Sequence, residues 1–600
     1  MFDRRTFLRS AGMTVAAVGG IWPSSGLLAN AVESAADGGG GGVLGRFDRP
    51  QQGFLPPSTS LRYGTPSSVG LDSAPIDAVL QRIHSYTVDP DPKTGHPLFP
   101  GAVVLLAHQG TIVTHSATGW ALRYSDYAGD ELPVDQRIAM RPDTIFDMAS
   151  ISKLFTSTVC MQLVERGVLD VSQPIAKYLP GYAVNGKQDI TIEMVLTHTS
   201  GLQPDPNPSL WQGYSTIPER RQAILNEKPI NTPGSTYLYS DLNMLSVQLL
   251  VEHVTGKSLD VLVRNGITAP LGLTDTGYNP PASKKRRIAP TEFQLPANNE
   301  PNRGLVWGQV HDENAWAMGG VAGHAGVFST AHDMAVLCQA FLGGGAYRGR
   351  RILRPDTVQQ MITNYNQKFP GDDHGLGFEL NQIWYMGGVT GPRTAGHTGY
   401  TGTTLVLDFD SRSIALLLDN RVHPNRNGSS TNPAREAVGT AMSRALAVKP
   451  LQGKDCWFSA IGNASTATLS TPALSPRGST LTVSHDAFLA VEDGSDYLYL
   501  ESSTDGTNWQ QVQVSATGTG APTGDQQGLT GNARAWWQVR ANLPAAQGIR
   551  LRWRYTTDKN YTGRGVNLDG IRIADDVGVL LDAERDPSSL TPDGWALVSR

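Results

Sequence analysis

The feature that most constrains this chain is Ser150-Ile151-Ser152-Lys153, a serine and a lysine three residues apart at the head of a long apolar-periodic run. The run continues through Leu154, Phe155, Thr158, Val159, Met161, Leu163 and Val164 and stops at Gly167, which predicts a helix over 150–166 ended by a glycine. Residues three apart share a helix face, so the Ser150 hydroxyl and the Lys153 amine can meet. The lysine can take the hydroxyl proton, and a helix N-terminus favours the negative charge of an attacking oxygen and of an oxyanion nearby. Burial against the apolar face is expected to lower the Lys153 pKa and make a neutral amine accessible. Alone the tetrapeptide is not specific, because a surface helix turn carries it equally well and a chain this long holds about one or two by chance.

Six hundred residues suggest more than one domain. With 40% hydrophobic and 17% charged residues the composition is that of a globular protein, and a net charge of -5 makes no electrostatic case for nucleic acid or an anionic membrane. At the N-terminus, Arg4-Arg5-Thr6-Phe7-Leu8-Arg9 precedes a short, glycine-interrupted apolar stretch over 11–21 and a small-residue site at Ala29-Asn30-Ala31. This predicts a twin-arginine export signal over 1–31 and a periplasmic or secreted protein with no membrane span. Cys160, Cys338 and Cys456 are too few for a disulfide framework.

Five glycines at 38–42 predict a flexible leader over 32–60. From 61 to 448, strand-like pieces (102–107, 405–407, 414–418) alternate with helical ones (150–166, 243–254, 331–341), which predicts an α+β domain. Beyond Pro450 helical periodicity disappears. Ile549, Leu551, Trp553 and Tyr555 alternate with Arg550, Arg552, Arg554 and Thr556, and Tyr497-Leu498-Tyr499-Leu500 runs into the turn Ser503-Thr504-Asp505-Gly506. Residues 456–600 are therefore expected to form a separate all-β sandwich.

Two further segments give the first motif its context: Tyr239-Ser240-Asp241 before Leu242-Asn243, and His397-Thr398-Gly399 before Tyr400. With Ser150 and Lys153, in this order, they make residues 61–448 resemble the serine β-lactamase and penicillin-binding protein superfamily, on its class C β-lactamase, DD-peptidase and esterase branch. Supporting stretches are Phe146-Asp147-Met148-Ala149, Leu196 to Leu202, Gly323 to Thr330, and Asn420 to Pro424. The resemblance implies an antiparallel sheet flanked by helices with a helical subdomain. It also implies Ser150 as nucleophile, Lys153 and Tyr239 as proton-transfer groups, backbone N–H groups of Ser150 and Tyr400 as the oxyanion hole, and Asp241, His397, Thr398 and Gly399 as substrate-binding residues, with no metal or cofactor.

Two departures bear on the substrate. Penicillin-recognising members usually carry lysine where His397 stands, and histidine is largely neutral near pH 7. Asp241 replaces the commoner asparagine, and an ionised carboxylate there raises the Lys153 pKa and shifts the base role toward Tyr239. Both point to an esterase, or to an amidase of D-amino-acid or cell-wall (peptidoglycan) peptides, with β-lactamase or DD-carboxypeptidase as the alternative and a catalytically silent wall-binding or sensor protein as the rival from another class. His311-Asp312-Glu313-Asn314 carries metal-type residues in a row, but adjacent side chains do not converge easily, and His198 and His324 read as hydrogen-bonding loop histidines. The C-terminal segment resembles the MAM-like jelly-roll modules of secreted peptidases. There Trp509, Trp536, Trp537 and Trp553 are candidates for a polysaccharide-stacking platform or for core, and Asp493, Asp496 and Asp569 for a structural calcium.

Overall fold

The computed structural model describes residues 45–599. The twin-arginine segment and the glycine run lie outside the described residues. The centre of the first domain is a sheet in the order Arg62–Tyr63, Thr111–Leu122, Gly101–His108, Ser413–Asp419, Thr404–Asp408, Thr394–Thr398 and Glu379–Leu380. Its pairings are antiparallel except that of Arg62–Tyr63, which runs parallel to its neighbour.

Strands Gly101–His108, Thr404–Asp408 and Ser413–Asp419 are buried at every position, as a sheet covered on both faces requires. Because side chains alternate between faces, Val103, Leu105, Leu405, Leu407, Ile414 and Leu416 enter one core with Leu154, Phe155 and Val159 of helix Ser152–Glu165. Val104, Leu106, Val406, Ala415 and Leu417 enter a second core under helices Ser73–Ser85 and Asn432–Ala445. Helix Asp241–Thr255, ended by Gly256 in the left-handed conformation, packs on the first core through Leu242, Leu245 and Leu249.

Two expectations are corrected. Ser150 does not begin the α-helix: it lies in a 3-10 turn, Ala149–Ile151, and the α-helix runs Ser152–Glu165. The cause is local, because Ala149 has a φ of 45° and its N–H is taken by Asp147 Oδ1 at 2.9 Å. The leader expected to be flexible through residue 60 is packed from residue 45 onward. Phe47 is buried, its N–H meets the Ala447 carbonyl at 2.8 Å, and the Leu55 N–H meets that of Leu342 at 2.8 Å. Apolar side chains at 47 and 55 supply the burial that a glycine run lacks.

The C-terminal region is a sandwich of an eight-stranded and a five-stranded sheet with its own core, and it packs against the first domain. At the seam the Phe47 ring lies 4.4 Å from the Arg534 guanidinium and 6.2 Å from the Phe488 ring. Arg534 also forms a buried ion pair with Asp408 at 2.7 Å, at the end of a first-domain strand.

Nor do the four tryptophans make a common platform. Trp537 and Trp553 are in the sandwich core, Trp536 packs on Phe488, and Trp509 lies under the Arg552 guanidinium at 4.1 Å. The carboxylates expected to hold calcium are likewise dispersed: Asp493 is exposed, while Asp569 accepts the N–H groups of Leu451 and Gln452 at 2.5 and 2.9 Å. All three cysteines are free and buried. Among the described residues no helix is long and apolar enough to cross a membrane.

Removing one member of a buried ion pair strands the other charge. Arg534→Ala is therefore expected to lower stability in urea denaturation by about 3–5 kcal/mol, and Arg534→Met combined with Asp408→Asn to recover most of the loss.

Candidate active site

The turn carrying Ser150 is held by its neighbours. Asp147 accepts the Ala149 N–H through one oxygen and the His311 N–H through the other, at 2.9 and 2.6 Å. This buried double acceptor offsets the left-handed Ala149, a conformation that costs a non-glycine residue on the order of 1 kcal/mol or more. The Thr401 hydroxyl donates to the Asp147 carbonyl at 2.7 Å and the Thr403 hydroxyl to that of Met148 at 3.1 Å. The turn is thereby tied to the segment that follows strand Thr394–Thr398. Glycine is required at 399, because an added Cβ would stand 2.6 Å from the Met148 carbonyl oxygen. That close approach brings Tyr400 to the turn carrying Ser150.

Ser150 is half-buried, and its Oγ accepts a hydrogen bond from Lys153 Nζ at 2.8 Å. Lys153 is buried, and its Nζ also lies 2.8 Å from Asp241 Oδ1, 3.2 Å from the His324 carbonyl and 4.9 Å from the Tyr239 ring centre. Burial alone pushes a lysine pKa down, as the sequence led us to expect. Here Asp241, helped by Tyr239, outweighs it and raises the pKa above its ordinary value, so Lys153 is an ammonium at neutral pH. The expectation of a neutral amine is overturned by the carboxylate at 241.

Tyr239 reaches both Ser150 and Lys153 with its hydroxyl. Burial raises its pKa and Lys153 works against that rise. The ring is stacked on His198 at 4.5 Å. His198 Nδ1 accepts the Ser240 N–H at 3.0 Å and an Asn243 amide hydrogen at 3.1 Å, and burial holds its pKa well below the usual histidine range. His198 is thus a neutral ring that fixes Tyr239 from behind, consistent with a hydrogen-bonding loop histidine.

His397 is buried on the strand beside this centre, 6.2 Å from the Tyr239 ring. Its Nδ1 meets the Thr398 carbonyl at 2.8 Å, so that nitrogen carries the proton and Nε2 keeps a lone pair. Burial, and then the charge of Lys153, push its pKa down to about 3. His397 therefore supplies no cation.

The residues at 311–314 diverge. His311 pairs with Glu292 at 2.6 Å, Asp312 with His324 at 2.9 Å, and Glu313 with Arg426 at 2.5 Å, while Asn314 accepts the Leu210 N–H at 2.8 Å. Asp312 and His324 do approach Asp241, their ligand atoms lying within 4.8 Å of one another. The Lys153 ammonium already provides a cation there. Desolvation opposes protonation of His324, but Asp312 and Asp241 raise its pKa. His324 is a hydrogen-bonding histidine, as its loop context leads one to expect, whereas the part Asp147 plays in holding the turn could not be read from linear order, because nothing there shows that residues 147 and 311 meet.

Together the structure brings Ser150, Lys153, Tyr239 and Asp241 into one cluster, with Thr398, Gly399 and Tyr400 alongside. Residues 92–440 match the family described as Beta-lactamase, and residues 424–598 match that described as Immune inhibitor A-like, MAM domain. The chain is 33% identical over 364 residues to a protein of Escherichia coli (strain K12) provisionally named D-alanyl-D-alanine carboxypeptidase, which covers 56% of this chain and 81% of that protein. Among solved structures it is similar to a penicillin-binding protein homolog from Caulobacter crescentus, with 21% identity, TM-score 0.48, and coverage of 63% of this chain and 99% of the other. A family VIII carboxylesterase gives 20% identity, TM-score 0.47, and coverage of 66% and 99%.

The charge balance yields a pH prediction. Asp241 favours the protonated form of the Lys153/Tyr239 pair, so removing its charge eases proton loss from that pair. Asp241→Asn is expected to move the rising limb of the rate of Ser150 phosphonylation against pH to lower pH by about one unit or more, measured with a fluorophosphonate. An unmoved limb would show that Asp241 does not set the charge of the pair.

Proposed function

The chain belongs to the Beta-lactamase family and is a serine hydrolase of that fold, and from this premise we propose that it forms an acyl-enzyme on Ser150 with an ester, or with an amide of a D-amino-acid or cell-wall peptide. The observation that carries the reading is the buried contact of Ser150 Oγ with Lys153 Nζ at 2.8 Å, with the Tyr239 hydroxyl in reach of both.

In this reading Lys153 and Tyr239 act as one acid–base unit. With Lys153 held as an ammonium and the Tyr239 pKa raised, the resting pair carries one proton too many to act as a base, so it gives one up before attack. The adjacent ammonium then stabilises the tyrosinate. Ser150 Oγ passes its proton to Tyr239 as it attacks the substrate carbonyl. The oxyanion is received by the backbone N–H groups of Ser150 and Tyr400, and the leaving group departs with the proton returned from Tyr239. Water enters by the same route: Tyr239 takes its proton as the water oxygen attacks the acyl carbon, and returns that proton to Ser150 Oγ as the acyl–oxygen bond breaks. Asp241 acts by fixing the charge of Lys153, while Thr398 at the end of the neighbouring strand and Gly399 just after it receive the substrate.

A neutral His397 supports the ester or amide reading, because it offers substrate a lone pair and no charge. A second reading, D-alanyl-D-alanine carboxypeptidase, is favoured by the name of the Escherichia coli relative. The arginine pair at 4–5 supports export by the twin-arginine route, which would bring the enzyme to cell-wall substrates.

Hydrolysis of p-nitrophenyl esters, nitrocefin, D-alanyl-D-alanine peptides and muropeptides by the same preparation tests the assignment. The proposal expects ester or D-amino-acid amide turnover well above nitrocefin turnover, and nitrocefin as the preferred substrate would contradict it. Ser150→Ala is expected to abolish turnover of every substrate. Lys153→Ala and Tyr239→Phe are each expected to slow acylation by about 100-fold or more, measured by stopped-flow release of p-nitrophenol.

A further inference from the structure

The turn that carries Tyr400 is tied on one side to the Ser150 segment and on the other to a buried cation. Strands Thr394–Thr398 and Thr404–Asp408 pair antiparallel with Thr398 opposite Thr404, and the chain reverses between them through Gly399 to Gly402. The Gly402 N–H closes this turn on the Gly399 carbonyl at 3.1 Å, and the Gly399 N–H meets the Thr403 carbonyl at 2.7 Å. The Gly399 carbonyl takes a second hydrogen bond, from Arg435 Nη2 at 2.8 Å.

Arg435 stands on helix Asn432–Ala445, which packs on the opposite face of the sheet from helix Ser152–Glu165. Its side chain is buried, and among the described residues its guanidinium has no ion pair. Nη1 meets Asn432 Oδ1 at 3.3 Å, and Nε is buried with no partner. Burial pushes the Arg435 pKa down to about 10, while Asp419 and Glu379 act on it through space and hold it up, so it stays charged at neutral pH. A guanidinium taken out of water is costly unless it is paired or well hydrogen-bonded, and the shortest hydrogen bond this one makes is to the Gly399 carbonyl.

The Gly399 carbonyl and the Tyr400 N–H belong to one planar peptide group and point in opposite directions. A charged donor on the carbonyl therefore fixes the plane of that group and draws electron density from it, which makes the N–H the stronger donor. The turn is shaped to pass close to the charges behind it. Gly402 has a φ of 120°, and a Cβ there would collide with Asp419 Oδ1.

We propose that Arg435 is a positioning residue of the oxyanion hole: by donating to the Gly399 carbonyl it orients the Gly399–Tyr400 peptide and strengthens the Tyr400 N–H as a donor to the oxygen that turns negative when Ser150 attacks. The inference rests on the acyl-enzyme reading given above. Arg435 acts through the peptide, so its effect is confined to steps in which the oxyanion forms. An oxyanion forms on acylation and again on deacylation, so loss of the polarising bond slows both steps, and kcat falls while KM holds.

The test compares the full-length wild type, Arg435→Met and Arg435→Lys on a p-nitrophenyl ester with an isotopically labelled acyl carbonyl, by steady-state kinetics and by rapid-mixing infrared difference spectroscopy of the acyl-enzyme. Arg435→Met is expected to lower kcat by about 10-fold, less than deletion of a whole oxyanion donor costs, with KM unchanged. It is also expected to move the acyl carbonyl band to higher frequency, the direction of a weaker hydrogen bond on that oxygen. Arg435→Lys keeps a charge beside the Gly399 carbonyl and is expected to fall between the other two on both readouts. Only folded protein acylates, so the band reads the folded enzyme even where a variant is less stable. An unchanged band in Arg435→Met, or a loss confined to KM, would overturn the inference and leave the acyl-enzyme reading intact. No acyl band and no fluorophosphonate adduct on Ser150 in the wild type would overturn both.

Discussion

The candidate active site depends on one buried ion pair, Lys153 with Asp241 at 2.8 Å. Taking a lone ammonium out of water costs several kcal/mol, while a carboxylate about 4 Å away returns on the order of 4 kcal/mol at an effective dielectric of 20. The two terms are of similar size, so the pair is tolerated only because the remaining donors are also satisfied. Ser150 Oγ and the His324 carbonyl take the other ammonium hydrogens. The result is a fixed positive charge beside a tyrosine whose pKa burial would otherwise raise without opposition. Charge at this centre is therefore carried by Lys153 and modulated by Asp241, and the surrounding histidines, His198 and His397, are kept neutral by burial.

Position is set by backbone as much as by side chains. The left-handed Ala149 and the tightly packed Gly399 bring a 3-10 turn and a sheet segment within hydrogen-bonding distance, with Asp147, Thr401 and Thr403 as fasteners. Behind them the same sheet continues to Asp408, whose ion pair with Arg534 joins it to the sandwich. The C-terminal module is therefore a structural neighbour of the catalytic sheet, and the term accessory describes its place in the sequence better than its packing.

Much of this was legible in the sequence where the signal was local. The strands at 102–107, 405–407 and 414–418 and the helices at 243–254 and 331–341 appear within two residues of their expected bounds, because their apolar patterning matches the core they enter. What escaped was set by tertiary contact. The packing of Phe47 depends on Arg534 and Phe488, and the balance of burial and pairing at Lys153 on how close a carboxylate 88 positions away comes to it. Asp241 was recognised as an unusual residue in its motif, yet burial and pairing pull a lysine in opposite directions, and only the distance decides between them.

The central claim is that Ser150, and not its neighbour Ser152, is the residue activated by the Lys153/Tyr239 pair. Ser152 is buried, and its hydroxyl is occupied by the Val327 N–H at 3.0 Å. Peptide mapping by mass spectrometry after reaction of the full chain with a fluorophosphonate tests this directly. The account predicts a single stoichiometric adduct on Ser150; an adduct on Ser152, or on any serine outside the 3-10 turn Ala149–Ile151, would contradict it.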